Sequence, residues 1–228
     1  MAVNLVFPAF VFSREHLGRD EHVEEGMNAE YFALLKNEMD AMRRDDPRGR
    51  DVSNTHGWQS KDKVESNPIF IKAIRSIKRM IRTEMMPFLG IAEEDVIVDF
   101  HNSWANINDK GAWNKPHLHN GCFYSGVMYI DADGSEGDFS AIDTDFKIIG
   151  NFPSTRRIVE SWRVTPSTGD VYLFPSGLMH MVEPNYTDKE RYSISFNFDV
   201  ASNSDGPRDN ITYPDLRFDI DEIGNIIV

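Results

Sequence analysis

Apolar residues recur at two different periods along this chain, and the change comes near residue 90. Over residues 28–44, Tyr31, Leu34, Leu35, Met39 and Met42 return at three- and four-residue steps, which predicts a helix with one buried face. The charged turn Asp46-Pro47-Arg48-Gly49 ends it. Over residues 67–86 the apolar set is Phe70, Ala73, Ile74, Ile77, Met80, Ile81 and Met85, with Arg75, Lys78, Arg79 and Arg82 on the other side. Asn67 reads as the N-cap of this second helix and Pro68 as its first position. Pro87 and Gly90 are its stop signals.

After residue 90 the runs become short, β-branched and aromatic, with turn residues between them. Strands are expected near 96–106, 124–131, 139–141, 158–164, 170–174 and 191–200. The stretch 131–137, Asp-Ala-Asp-Gly-Ser-Glu-Gly, reads as a turn. It lacks the twelve-residue spacing and final Glu of a calcium loop. So many short strands predict a mostly β, α+β protein: a β-sandwich or jelly roll, with the two early helices packed on one sheet. The chain is expected to form one domain over 1–228. Within it, 1–92 is a helical support region, 93–202 the β core and 203–228 a C-terminal extension.

Composition narrows the function. The chain has 228 residues with 24 Lys and Arg against 37 Asp and Glu, a formal net charge of −13. Such an acidic chain is a poor match for nucleic-acid phosphates, which need clustered cations. No apolar run approaches the roughly 18 residues of a membrane span. The apolar N-terminus has neither the basic flank nor the small-residue cleavage site of a signal peptide. Cys122 is the single cysteine, so no intramolecular disulfide can form, and a reducing, cytoplasmic setting is expected. A homodimer is compatible with this composition.

Seven histidines are few enough to sort individually. His16, His22, His56 and His101 stand alone. His117-Leu118-His119 is different, because i, i+2 spacing in an extended segment puts both imidazoles on one face. His180 follows a predicted strand and a Pro/Gly turn, 174–177. Two ligands from one segment and a third from a distant one can hold a metal in a barrel mouth, leaving positions open for substrate or oxygen. Loop histidines after Pro116 would show the same spacing. Further on, 191–198 alternates strictly. Arg191, Ser193, Ser195 and Asn197 share one face, and Tyr192, Ile194, Phe196 and Phe198 the other. An Arg on such a polar face can hold a carboxylate through two parallel hydrogen bonds. An ordinary solvent-facing strand would also carry Arg and Ser.

Together these residues resemble the non-haem Fe(II)/2-oxoglutarate-dependent oxygenases, in particular the small group with a W-x-N, H-x-H, S-G-V-x-Y core and a late R-x-S-x-S-F-N strand. The matching positions are Trp104 and Asn106, His117 and His119, Ser125-Gly126-Val127-Met128-Tyr129, the segment 169–175, His180, and Arg191 with Ser193. The resemblance covers roughly 95–200. It implies a double-stranded β-helix, a cupin-like jelly roll. It implies Fe(II) on His117, His119 and His180, and 2-oxoglutarate gripped by Arg191 and Ser193, with Asn106 or Tyr129 as helpers. It implies oxidation of an unidentified substrate by O2, coupled to conversion of 2-oxoglutarate to succinate. Most relatives place Asp or Glu where this chain has His119. Either the imidazole ligates, or a carboxylate such as Asp138 completes the site.

Two other readings use the same residues. Cupins share the spacing Gly111-x5-His117-x-His119 and Gly169-x5-Pro175-x-Gly177-x2-His180. However, Phe123 and Tyr124 stand where a cupin has Glu, and Asn185 falls one residue late. A three-His cupin dioxygenase would need no arginine for a co-substrate. A non-catalytic jelly-roll binding protein would work after chelation. Trp58, Trp104, Trp113 and Phe152 are expected to fill core rather than line an opening.

Overall fold

The computed structural model describes residues 10–14, 26–142, 144, 161–202, 219–220 and 226–227. Chain order begins with strand β1 (Phe12–Arg14), helix α1 (Ala29–Asp45) and two short strands, β2 (Asn54–Thr55) and β3 (Trp58–Gln59). Asn28 caps α1, its Oδ1 accepting from the Tyr31 N–H at 3.0 Å. Helix α2 (Ile71–Met80) runs through a π turn at Ile81–Met85 into α3 (Met86–Phe88), and Gly90 follows in the left-handed region at φ +78°.

The start of α2 corrects the sequence reading. Asn67 caps a tight turn that precedes the helix: its Oδ1 accepts from the Ile69 N–H and its carbonyl from the Phe70 N–H, each at 3.0 Å. Regular helix begins only at Ile71. The apolar face is as expected, with Ala73, Ile74, Ile77 and Met80 buried. Arg75, Arg79 and Arg82 face out, while Lys78 lies over the Phe100 ring at 5.0 Å.

The rest is β: β4 (Val96–Asn108), β5 (Trp113–His117), β6 (Tyr124–Asp131), β7 (Phe139–Ile142), β8 (Ser161–Val164), β9 (Val171–Pro175), β10 (His180–Val182), β11 (Arg191–Ser202), then the small pair β12 (Asp219–Ile220) and β13 (Ile226–Ile227). One sheet has the order β1-β9-β6-β11-β4-β3 and the other β2-β5-β10-β7-β8. Among the described residues all pairings are antiparallel. This is a double-stranded β-helix, mostly β as expected. The expected strands are present within a few residues at each end, with 158–160 outside the described residues. The segment 131–137 turns, with positive φ at Gly134 and Gly137.

The pleat divides the six-stranded sheet into two chemistries. Tyr192, Ile194, Phe196 and Phe198 of β11, Met128 and Ile130 of β6, and Val171 and Leu173 of β9 pack with α1 and α2 in the larger core. The helices therefore cover the outer face of this sheet. Val127, Tyr129, Tyr172, Phe174 and Phe139 form a second cluster on the inner side. Gly126 is required by the outer packing, since a Cβ there would lie 2.5 Å from the Phe196 ring.

Candidate functional site

The two sheets bring the three spaced histidines together. His117 ends β5 and His180 begins β10, and the two are directly paired in register. His119 lies just beyond β5, where its N–H donates to the Ser176 carbonyl at 2.9 Å and ties its loop to the turn before His180. One ligating nitrogen from each histidine falls within 4.8 Å of the others. Bonds of about 2.1 Å to one ion hold nitrogens no more than about 4.2 Å apart, so a metal held by these three residues would draw the imidazoles closer.

Each imidazole has its Nδ1 tied to an oxygen. His117 uses the Lys115 carbonyl at 2.6 Å, His180 the Leu178 carbonyl at 2.9 Å, and His119 the Asn197 Oδ1 at 2.5 Å. A carbonyl oxygen only accepts, so each Nδ1 carries the proton and each Nε2 keeps its lone pair for a metal. Burial pushes His119 down to about 4 and His180 to about 3, and lowers His117 as well. All three are neutral at pH 7, the form a metal needs.

The same cavity holds the other predicted residues at a second end. It is lined by the three histidines together with Arg191, Ser193, Asn106 and Tyr129. Ser193 of β11 is paired with Asn106 of β4 on one side and Tyr129 of β6 on the other, so the three form one row across the sheet. Arg191 is 1% exposed. Its Nη1 donates to the carbonyls of Glu136, Gly137 and Glu183, while its Nη2 is buried with no partner among the described residues. Tyr129 Oη and Asn106 Oδ1 are likewise buried and unpartnered. Burial raises Tyr129 to about 12, so it stays a donor. Unsatisfied buried donors are costly in a folded protein. Here two of them, a guanidinium N–H and a phenol, belong to one cavity, and together they suit a carboxylate.

Asp138 is absent from the histidine cluster; its Oδ1 accepts from Thr165 Oγ1 at 2.8 Å. Asn185 is fully buried and donates to the Asn108 and Lys189 carbonyls, a structural role. His101 pairs with Asp199 at 2.8 Å, His56 is exposed, and His16, His22 and Phe152 lie outside the described residues. Trp58 is core, its Nε1 donating to the Asp46 carbonyl at 2.8 Å. Trp104 departs from the expectation: it lines the cavity, its ring 5.7 Å from that of His119. Sequence reasoning also missed Ser53, Asn108 and Asn114, which line the cavity from β4, β5 and the segment before β2. No motif marks them. Among the described residues, no helix is long and apolar enough to cross a membrane.

Known proteins share part of this sequence and its fold. Residues 102–197 match a family model described as putative 2OG-Fe(II) oxygenase. No curated protein matches the sequence. Among solved structures, a prolyl-4-hydroxylase from Pseudomonas putida is similar with TM-score 0.53 at 18% identity, over 82% of this chain and 91% of that one. HygX from Streptomyces hygroscopicus, with nickel, 2-oxoglutarate and hygromycin B bound, gives TM-score 0.53 at 13% identity, over 82% of each chain. A viral collagen prolyl hydroxylase from Paramecium Bursaria Chlorella virus-1, in complex with 2-oxoglutarate, gives 0.51 at 11% identity, over 84% of this chain and 96% of that one. These likenesses are likenesses of fold.

Proposed function

Starting from a 2OG-Fe(II) oxygenase core, we propose that this chain is an Fe(II)- and 2-oxoglutarate-dependent hydroxylase acting on a peptidyl side chain or a small molecule. In this reading His117, His119 and His180 hold the iron. Arg191 and Tyr129 grip the far carboxylate of 2-oxoglutarate, with Ser193 and Asn106 completing the wall. With iron and 2-oxoglutarate bound, the site consumes O2, releases succinate and CO2, and places one oxygen atom on the substrate. The protein's share is to hold the co-substrate at both ends and keep water from the middle.

One observation carries the reading. A single cavity has three neutral imidazoles at one end and unpartnered donors of Arg191 and Tyr129 at the other. Both ends of a 2-oxo diacid are thereby provided for. A three-His cupin dioxygenase leaves the second end without a purpose. Three neutral ligands also leave the full charge of a divalent metal at the site, which favours an anionic co-ligand. Imidazole suits zinc, nickel and copper too, so the metal of a purified sample follows supply. Prolyl hydroxylases among the similar folds support the peptidyl substrate. So does the apolar rim beside the histidines, where Leu118 is 41% and Phe123 67% exposed. The single cysteine supports a cytoplasmic setting.

The test is anaerobic addition of Fe(II) and 2-oxoglutarate to metal-stripped protein, followed by oxygen. A weak visible charge-transfer band and then succinate is the expected result. Iron binding with neither band nor succinate moves the assignment to the three-His cupin. Failure to bind metal removes the central element.

A further inference from the structure

We propose that Asn197 is the positioning residue for His119, fixing the tautomer and ring orientation with which this imidazole meets the metal; the inference rests on the oxygenase reading. The three histidines are not held alike. His117 and His180 lean on backbone carbonyls two residues earlier in their own segments. Those contacts are local and no side-chain substitution removes them. His119 leans on a side chain 78 residues away.

Asn197 is itself locked. On β11 it is paired with Asn102 of β4 on one side and Ser125 of β6 on the other, at the point where the β11–β4 register shifts. Its Nδ2 donates to Asn102 Oδ1 at 2.9 Å. Its Oδ1 accepts from Ser125 Oγ at 2.8 Å and from His119 Nδ1 at 2.5 Å. Asn102 Oδ1 only accepts, so it must face the Asn197 NH2, which leaves the Asn197 oxygen for His119. In this arrangement the Asn197 oxygen faces His119, and His119 therefore carries its proton on Nδ1. Partners of this kind orient metal-bound histidines, and losing one typically costs metal affinity. The row matters more at His119 than elsewhere. This position faces a neutral amide where a carboxylate partner would add negative charge, so the imidazole is aligned without changing the charge of the site.

The experiment combines one measurement on the unaltered chain with two variants. In the metal-free full chain, nitrogen-15 NMR of labelled histidine should show His119 as the Nδ1–H tautomer; the Nε2–H form overturns the proposal. Ni(II) titration calorimetry of Asn197→Leu should show affinity lowered about 10- to 100-fold, with the melting temperature of the metal-free protein little changed. Asn197→Asp restores an acceptor, with Asn102 free to turn its amide and donate, and should recover affinity to the level of the parent or above. Unchanged affinity in the Leu variant, or equal loss in the Asp variant, overturns the positioning role while leaving the metal site in place. If the parent chain binds no Ni(II) or Fe(II), the oxygenase reading itself falls, and this inference with it.

Discussion

Arg191 carries its charge where water scarcely reaches it, and only half of its fork is satisfied by the fold. Burial lowers its pKa, with Tyr129 and Glu136 opposing that effect, but a guanidinium remains charged. Breaking a buried charge pair costs about 3–5 kcal/mol. Arg191→Leu should therefore weaken 2-oxoglutarate binding at least a hundredfold while iron affinity stays within a fewfold, read by titration of each ligand separately. Equal loss of iron would make Arg191 a structural residue. His180→Ala should abolish metal binding outright in the same assay. The histidines also set a pH dependence. Their folded-state pKa values lie below the ordinary 6.5, at about 4 for His119 and about 3 for His180. The folded state resists protonation that the unfolded chain accepts, so their contribution to stability is full above pH 6.5 and is lost as pH falls toward 4 and 3. Urea midpoints of the metal-free protein should fall steadily from pH 7 to pH 4, and a bound metal should oppose that fall.

At the scale of elements, the alternation of β11 was legible because a period of two leaves no ambiguity about which residues share a face. The His117–His119 spacing was legible for the same reason. The partnership of His119 with Asn197 was not, since it depends on a sheet pairing between segments far apart in sequence. The short strands β2, β3, β5 and β10 also escaped notice. They span two to five residues and carry mixed polar side chains, too little for a period to show. Asn67 misled because an Asx side chain closes a simple turn as readily as it caps a helix. The turn before β7 shows an element serving the site from outside it. Gly137 sits at φ +97°, and a Cβ there would lie 2.7 Å from the Glu183 carbonyl oxygen, while residues 136, 137 and 183 supply the carbonyls that hold Arg191. Gly137→Ala should cost about 1–3 kcal/mol of stability by urea unfolding, and should weaken 2-oxoglutarate binding while the metal still binds.

For the molecule as a whole, helices and site are on opposite faces of one sheet. The helices pack against the apolar side of β11 and its neighbours, and Leu35 of α1 is fully buried there. Leu35→Ala should cost about 2–5 kcal/mol in urea unfolding and leave metal affinity of the folded protein unchanged, because the cavity lies across the sheet. Strand β11 is hydrogen-bonded on both sides, to β4 and to β6, and so is among the least free to shift. In the proposed function, Arg191 fixed on such a strand and a metal held by the histidines of the other sheet would together act as a gauge of chain length. A 2-oxo diacid that reaches both ends is held twice, and one carbon fewer or more forfeits one end. The four-carbon oxaloacetate and the six-carbon 2-oxoadipate should therefore bind the iron-loaded protein far more weakly than the five-carbon acid, a selectivity that strand spacing alone would set.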